Sequence, residues 1–183
     1  VLSGIGEILK VHTIDGIDSF DDVARDYNDL LNDPLILLKY TQKALAIKKK
    51  YIEIDEYDEG IRNIFNYGHS FGHAIESATQ FAIPHGIAVT IGMDMANRIA
   101  AWRKKLPEIH YERMHGVLRK NYTDYLDTKI PLNLLISALK KDKKNTVENL
   151  MLIFPVGDFA AVEKIAVKAD MAFESQCRRY LDE

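Results

Sequence analysis

The sequence predicts a mainly α-helical, multi-helix domain that carries one small β-hairpin near its C-terminal end. Most of the 183 residues follow a helical apolar period, in long stretches that contain neither Gly nor Pro. Only the segment NLMLIFPVGDFAAVEKI has two short, β-rich apolar runs, which are separated by Pro155–Asp158 and are typical of a hairpin. No repeat, low-complexity segment or change of composition divides the chain, so we expect a single domain over residues 1–183.

Helix start signals define the elements of the first third of the chain. Ser3 is a candidate cap for a short first helix. Asp18 or Ser19 is a candidate start for a second helix through FDDVARDYNDLL. Asp33 followed by Pro34 predicts the start of a third helix, because Pro is favoured at the first helical position. This third helix is expected to continue without a break for about five turns.

The remaining helices follow from apolar periodicity. One is expected over His69–Thr79, after the charged connection DEYDEGIR. The others are expected in PHGIAVTIGMDMANRIAAWRKK, EIHYERMHGVLRK, LNLLISALKKD and ADMAFESQCRRYLDE.

Composition narrows the classes of function. With 24 Lys+Arg and 27 Asp+Glu, the net charge is −3, so nothing indicates a nucleic acid or an anionic membrane as partner. The single cysteine, Cys177, excludes an internal disulfide and a cysteine-based zinc site, which suits a cytoplasmic protein. The sequence contains neither an apolar run of about 18 residues nor the pattern of a signal peptide. Because the chain begins at Val1 rather than Met, we expect a piece of a longer protein.

A dinucleotide-binding loop is also missing. SGIGEI has two glycines but lacks the third glycine and the preceding strand of that motif. This chain alone is therefore not expected to bind a dinucleotide in the usual way.

A cluster of histidines is the most unusual feature of the sequence. Three of the six histidines lie within 17 positions, and each adjoins a glycine. The pairs are Gly68-His69, Gly72-His73 and His85-Gly86. A glycine inside a helix costs about 0.5–1 kcal/mol relative to alanine. The glycines therefore indicate close approach of another backbone, a ligand or a metal shell.

Two interpretations of the cluster remain open from the residues alone. His69, His73 and Glu76 share one broad helix face at i, i+4 and i+7. Neutral imidazole is a good ligand for divalent metals, so the spacing favours His69 and His73 as a pair. Alternatively, these histidines are packed side chains and the glycines only permit tight packing. The other histidines lack this setting and are expected to be structural: His12, His110 and His115.

Basic residues offer candidate anion-binding groups. The runs Lys48–Lys50 and Lys140–Lys144, the second interrupted by Asp142, are typical of solvated helix faces. Either run could instead bind a carboxylate or a phosphate. Arg62 and Asn66, four positions apart and just before the histidines, could line one pocket, or be a surface arginine and a helix cap.

Taken together, these motifs resemble the 3-dehydroquinate synthase family of sugar phosphate cyclases. The resemblance is strongest in DEYDEGIRNIFNYGHSFGHAIES and HGIAVTIGMDMA, which are similar to an acidic pair, G-x-R, L-N-x-G-H-[ST]-x-G-H-A-[IL]-E and H-G-E-A-V-x-x-G-M. SGIGEILK and LKKDKKN look like two further family elements, in the same order. The resemblance covers only the family's C-terminal helical domain, and it implies that NAD binds mainly to an N-terminal α/β domain that this chain lacks.

The resemblance implies a role for each matching residue. A divalent metal, zinc or cobalt, would be bound by Glu7, His69 and His85. His73 would belong to the acid/base network. The implied substrate contacts are Lys10, Lys48, Arg62, Asn66 and Lys143, with Lys49 and Lys144 as alternatives to Lys48 and Lys143.

The implied activity is NAD- and metal-dependent elimination of phosphate from a 3-deoxy-heptulosonate 7-phosphate, followed by ring closure to 3-dehydroquinate in the shikimate pathway. The fragment alone is expected to be inactive, and a homodimer is a further expectation. One departure concerns the substrate: Ile87 replaces the family's glutamate in HGIAV. The alternatives are another cyclase, such as a 2-deoxy-scyllo-inosose synthase, and a non-catalytic helical binding module.

Overall fold

The computed structural model describes residues 1–57, 60–141 and 149–183, which contain nine α-helices and one β-hairpin. The predicted mainly helical fold is therefore confirmed. The helices are α1 (Leu2–Asp15), α2 (Ile17–Arg25), α3 (Tyr27–Asn32), α4 (Pro34–Ile54), α5 (His69–Ala78), α6 (His85–Trp102), α7 (Glu108–Asn121), α8 (Leu132–Lys141) and α9 (Met171–Asp182). Two short 3-10 helices cover Ile61–Asn66 and Thr123–Tyr125.

The predicted start of α4 is confirmed by its cap. Asp33 precedes the helix, and its side chain accepts a hydrogen bond from the backbone N–H of Leu35 at 2.8 Å. Pro34 occupies the first helical position, where a backbone N–H would have no partner within the helix, so the N–H that proline lacks is not needed. The helix then runs for 21 residues, in agreement with the sequence.

The predicted caps of the first two helices are wrong. Ser3 lies inside α1, and its hydroxyl accepts a hydrogen bond from the backbone N–H of Gly86 at 2.8 Å. Neither Asp18 nor Ser19 caps α2, because Gly16 precedes that helix with φ 138°. The segment FDDVARDYNDLL also forms two helices rather than one, since α2 ends before Asp26 and α3 begins after it.

The hairpin is formed by β1 (Asn149–Val156) and β2 (Ala161–Lys168), which are antiparallel in a register that pairs Asn149 with Lys168. Leu152 and Phe154 of β1 are fully buried, and β1 packs on α6. Gly157 supplies a positive φ in the connection. This hairpin therefore closes one side of the helical core.

Helix α6 is the centre of the core. Its residues from Gly86 to Asn97 are all buried, and it contacts α1, α5, α7, α9 and β1. A helix that is apolar on every side is stable only when other elements cover it on every side. The helices that cover α6 therefore decide which side chains meet at its N-terminal end.

Glycines let α5 and α6 cross in close contact. A Cβ atom at Gly92 would lie 2.2 Å from the carbonyl oxygen of Gly68, and one at Gly72 would lie 3.0 Å from the Cα of Val89. Gly68 also has φ 75°, a conformation that favours glycine. Of the interpretations left open by the sequence, close approach of another backbone is the one that applies to Gly68 and Gly72.

Helix α1 crosses α6 in the same way. A Cβ at Gly86 would lie 2.0 Å from the carbonyl oxygen of Ser3, and one at Gly6 would lie 2.4 Å from the carbonyl oxygen of Gly86. The residues next to the crossing glycines are Glu7, His69, His73 and His85. The contacts that pack the three helices therefore also bring these four side chains together.

A buried carboxylate connects α6 with α7 and α9. Asp94 is fully buried, and it accepts hydrogen bonds from Tyr122 at 2.6 Å and from Tyr180 at 2.9 Å. The Nδ1 atom of His115 lies 2.9 Å from both of its oxygens. The hydrogen bond to Asp94 raises the pKa of His115, although partial burial and Arg119 oppose the shift.

We expect substitution of the crossing glycines to destabilise the fold. Gly92→Ala would place a methyl group against the backbone of α5, and such overpacking typically costs about 1–3 kcal/mol or more. The free energy of unfolding, measured by urea denaturation followed by circular dichroism, checks this.

Gly116→Ala is the matched control, because Gly116 lies inside α7 with no atom near the added methyl group. We expect it to stabilise the fold by about 0.5–1 kcal/mol through the higher helix propensity of alanine. Equal losses of stability in the two variants would contradict the role of Gly92 in the crossing.

We also expect the contribution of His115 to stability to depend on pH. Because its folded-state pKa is raised, the contribution is fully present below the unfolded pKa of about 6.5 and is lost as the pH rises through the folded pKa. The unfolding free energies of the wild type and His115→Gln should therefore differ more at low pH than at high pH. A difference that grows with pH would contradict the ion pair with Asp94.

Candidate metal and substrate site

Three histidines form a compact cluster where α5 meets the start of α6. One ligand atom from each of His69, His73 and His85 lies within 4.8 Å of the others. The ring centroids of His69 and His73 are 5.4 Å apart, and those of His69 and His85 are 5.3 Å apart. His69 is half-buried, whereas the other two rings are exposed to solvent. The cluster therefore has one open side.

Hydrogen bonds orient two of the three rings. The Nδ1 atom of His69 lies 3.3 Å from the carbonyl oxygen of Tyr67, which can only accept, so Nδ1 carries the proton and Nε2 keeps its lone pair. The Nδ1 atom of His85 lies 3.1 Å from a carboxylate oxygen of Glu76. Both rings can therefore offer Nε2 to an ion, an arrangement that protein metal sites commonly use.

Glu7 reaches the cluster from α1. Its Oε1 atom lies 3.8 Å from the Nε2 atom of His69 and is buried, with no hydrogen-bond partner among the residues that the structure describes. Its Oε2 atom accepts a hydrogen bond from Lys10 at 2.9 Å, and the Nζ atom of Lys48 lies 4.0 Å away. A buried carboxylate oxygen without a donor is costly, so this atom fits contact with a cation.

The protonation states also suit a metal site. Burial would raise the pKa of Glu7, but Lys10, with smaller contributions from His69 and Lys48, holds the pKa of this carboxyl below its ordinary value. Burial and the nearby ammonium of Lys10 lower the pKa of His69 to about 4. At neutral pH the site therefore presents a carboxylate and a neutral imidazole, the forms that bind metals.

The distances do not reproduce the ligand set that the resemblance implies. The cluster within 4.8 Å contains His73 and does not contain Glu7. Both these distances and the i, i+4 spacing in the sequence therefore place His73 near an ion bound at the cluster. The orphaned oxygen of Glu7 and the oriented ring of His85 favour the implied set of Glu7, His69 and His85. The separate roles of Glu7 and His73 therefore stay predictions.

A cavity of about 210 Å³ is linked to the site through Lys10, which lines the cavity and forms an ion pair with Glu7. Its lining residues are Lys10, Lys48, Ile52, Arg62, Phe65 and Asn66. Four of the five implied substrate contacts therefore share one cavity. The fifth, Lys143, and its alternative Lys144 lie outside the described residues.

Lys48 rather than Lys49 belongs to this cavity. The Lys49 side chain is 76% exposed and lies 3.7 Å from Glu53 on the outer face of α4. Two hydrogen bonds position the guanidinium of Arg62, which donates to the carbonyl oxygens of Asp55 at 3.2 Å and Glu56 at 2.8 Å.

The cavity favours anions. Lys10 is only 3% exposed, and burial lowers its pKa, although its ion pair with Glu7 opposes that shift. With Lys48 and Arg62, it places three cationic side chains around the cavity. The Glu7 carboxylate pairs with Lys10, and the Asp55 carboxylate accepts a hydrogen bond from the backbone N–H of Arg62. Cations in a partly closed cavity attract carboxylate and phosphate groups. The site therefore combines a candidate metal centre with a candidate anion pocket.

The sequence reasoning missed the contact between Glu76 and His85. Glu76 was placed on the face of His69 and His73, but its partner comes from the next helix. Gln80 and Phe81 have φ of 52° and 61°, and these two left-handed residues turn the chain back towards α5. No sequence motif signals this reversal, because neither residue is Gly or Asn.

A second cavity, of about 690 Å³, lies elsewhere, around Asp94 and His115. The buried polar groups at this cavity already bind one another. Of the other two histidines, His12 contacts Ser19 at 2.8 Å and His110 contacts the carbonyl oxygen of Asp158 at 2.8 Å. All three histidines outside the cluster therefore have partners within the fold.

Comparison with known proteins identifies the family. The family model "3-dehydroquinate synthase C-terminal" matches residues 4–145. The chain belongs to this family. It is 34% identical over 174 residues to a 3-dehydroquinate synthase from Thermoanaerobacter sp. (strain X514), covering 93% of this chain and 48% of the relative. A 3-dehydroquinate synthase from Sulfolobus acidocaldarius is 32% identical over 186 residues, covering 97% and 52%. The chain thus spans about half the length of these curated relatives.

Solved structures of other sugar phosphate cyclases have a similar fold. A 2-deoxy-scyllo-inosose synthase complexed with carbaglucose-6-phosphate, NAD⁺ and Co²⁺ is 22% identical with a TM-score of 0.73, covering 98% of this chain and 51% of that one. The 2-epi-5-epi-valiolone synthase from Streptomyces hygroscopicus subsp. jinggangensis 5008, with NAD⁺ and Zn²⁺ bound, is 21% identical with a TM-score of 0.77, covering 99% and 51%. Both likenesses support the fold of this 3-dehydroquinate synthase family member.

Among the described residues, no helix is both long and apolar enough to cross a bilayer. This agrees with the apolar pattern of the sequence.

We expect His69→Ala and His85→Ala each to lower zinc affinity at least 100-fold, because each removes a ligand that is oriented by a hydrogen bond. Competition of the chain against a chromophoric chelator measures this affinity. Glu7→Gln should lower it by a similar factor if Glu7 is the third ligand.

His73→Ala separates the two ligand sets in the same assay. The implied set predicts nearly unchanged zinc affinity for this variant. A loss larger than that of Glu7→Gln would show that His73 is the third ligand. His12→Gln, which alters a histidine outside the cluster, is the control.

Proposed function

We propose that this chain is the metal- and substrate-binding part of a 3-dehydroquinate synthase. The complete enzyme would convert a 3-deoxy-heptulosonate 7-phosphate to 3-dehydroquinate and release phosphate, a step of the shikimate pathway. The observation that carries the proposal is the ion pair between Glu7 and Lys10. It joins the histidine cluster to the cationic cavity, so that a metal and an anionic sugar would bind side by side.

Glu7, His69 and His85 would hold the divalent ion. The orphaned oxygen of Glu7 and the Nε2 atoms of the two histidines fit a zinc or cobalt ion, and both metals occur in the neighbouring cyclase structures. When bound, such an ion polarises hydroxyl and carbonyl oxygens of a sugar and orients them.

The cationic cavity would hold the charged groups of the substrate. Lys10, Lys48 and Arg62 would bind carboxylate and phosphate oxygens by charge-assisted hydrogen bonds. The amide of Asn66 offers both a donor and an acceptor to a sugar hydroxyl. Lys143, outside the described residues, would supply a further cation. The binding energy of these groups would orient the sugar at the cluster.

His73 would move the proton of the substrate hydroxyl. Its ring lies 5.4 Å from that of His69 and is open to solvent, so a substrate bound at the cluster would be within reach of it. A positioned histidine is a common general base near neutral pH. The proton would pass from the hydroxyl to His73 directly or through one water.

NAD would bind mainly to the half of the protein that this chain does not span. The relatives are about twice as long as the chain, and the neighbouring cyclases carry NAD⁺. We therefore propose that the 183-residue chain alone gives no turnover, and that residues 1–183 form one helical domain of a larger, cytoplasmic enzyme.

Another cyclase activity is the second candidate. A further structure of 2-deoxy-scyllo-inosose synthase is 26% identical, with a TM-score of 0.65, covering 80% of this chain and 40% of that one. Ile87, which replaces the family's glutamate, is 2% exposed and belongs to the apolar core. Its effect on substrate choice would therefore be exerted through packing next to His85 rather than by direct contact.

Two substrates distinguish these activities. The complete protein that contains this chain should release phosphate from the heptulosonate phosphate in the presence of NAD and zinc. Release from glucose 6-phosphate instead would favour the inosose synthase. Release from neither substrate, together with no bound metal, would favour a non-catalytic helical module. Turnover by the 183-residue chain alone would contradict the need for the missing half.

We expect Lys10→Met in the complete protein to lower kcat/KM about 10–100-fold. A hydrogen bond to a charged group is worth about 1.5–3 kcal/mol, and each 1.4 kcal/mol corresponds to a factor of ten. Steady-state phosphate release measures the effect.

Lys49→Met is the matched control for this substitution. Lys49 lies on the outer face of α4, outside the cavity, so kcat/KM should stay within about twofold of wild type. Equal losses in the two variants would contradict the assignment of the cavity as the anion pocket.

A further inference from the structure

We propose that Glu76 is a positioning residue, whose carboxylate fixes the ring of His85 so that Nε2 points at the ion. This inference rests on the proposed metal site and assigns to it a residue that does not contact the ion. The contact is direct, since Oε2 of Glu76 lies 3.1 Å from Nδ1 of His85.

The two partners differ in exposure in a way that suits this role. The Glu76 side chain is only 12% exposed, whereas that of His85 is 46% exposed. A half-exposed imidazole at the first residue of a helix has several rotamers available. Contact with a buried carboxylate selects one of them, because a carboxylate out of water is stable only when a donor satisfies it.

The backbone between the partners is itself fixed. The carbonyl oxygen of Glu76 accepts a hydrogen bond from the N–H of Phe81 at 2.8 Å, and that of Thr79 accepts one from the N–H of Ala82 at 3.1 Å. Ile83, 1% exposed, anchors the connection in the core. A turn with defined geometry therefore connects Glu76 with His85, nine residues later, and holds the two side chains next to each other.

Through its contact with His85, Glu76 would strengthen the binding of an ion in two ways. By accepting from Nδ1, the carboxylate fixes the tautomer in which Nε2 has a free lone pair. The negative charge also makes the imidazole a stronger donor to the metal. Loss of such an outer partner typically lowers metal affinity about 10–100-fold.

The experiment measures zinc affinity and the cobalt(II) absorption spectrum of the chain. We expect Glu76→Gln, which keeps the shape but removes the charge, to weaken zinc binding about tenfold. Glu76→Ala should weaken it by up to about 100-fold. The visible bands of bound cobalt should shift in both variants, a change that a loss of folding stability alone would not produce.

His115→Gln is the matched control. It breaks a different carboxylate–imidazole pair, Asp94 with His115 at 2.9 Å, which involves no residue of the cluster. This variant should lower the unfolding midpoint without changing zinc affinity or the cobalt spectrum of the folded chain.

A double variant tests whether Glu76 acts through His85. In a His85→Ala background, Glu76→Gln should cause little further loss of zinc affinity. A further loss as large as that in the wild type would overturn the inference, as would unchanged zinc affinity and an unchanged cobalt spectrum in Glu76→Gln itself. Wild-type chain that binds no zinc would instead overturn the metal site of the proposed function, on which this inference depends.

Discussion

The close crossing of α1 and α5 over the N-terminal half of α6 is the constraint on which the rest of the structure depends. Gly6, Gly68, Gly72, Gly86 and Gly92 allow backbones to touch where any other residue would separate them. Each candidate ligand is the immediate chain neighbour of one of these glycines. The same contacts that bury the core therefore set the distances in the site, and a change in helix packing would be felt there directly.

The sequence predicted those parts of the fold whose cause is local. Asp33 and Pro34 begin α4 because cap and ring geometry act within one turn. Ser3 had the same local signal, but its hydroxyl accepts a hydrogen bond from the backbone N–H of Gly86 in another helix. Whether such a residue caps its own helix or binds a distant one depends on tertiary packing, which no local pattern encodes.

For the candidate site, too, the sequence predicted which residues take part but not the contacts that depend on tertiary packing. The residues alone indicated the three clustered histidines, with His69 and His73 as a pair, and Arg62 and Asn66 as pocket candidates. The family resemblance added Glu7 and Lys10, and it assigned roles to His85 and Lys48. Neither kind of reasoning indicated how the rings are oriented. That orientation comes from the carbonyl oxygen of Tyr67 and from Glu76 across a tight turn, contacts whose geometry exists only in the folded chain.

Electrostatics links the candidate metal centre to the candidate anion pocket. A buried ammonium such as Lys10 needs a carboxylate, and Glu7 provides it with one oxygen while the other oxygen faces His69. A cation at the cluster would share the negative charge of Glu7, so that this carboxylate would neutralise Lys10 less completely. A phosphate or carboxylate in the cavity would then supply negative charge to Lys10. Metal and anionic substrate would therefore favour each other's binding through a single shared carboxylate.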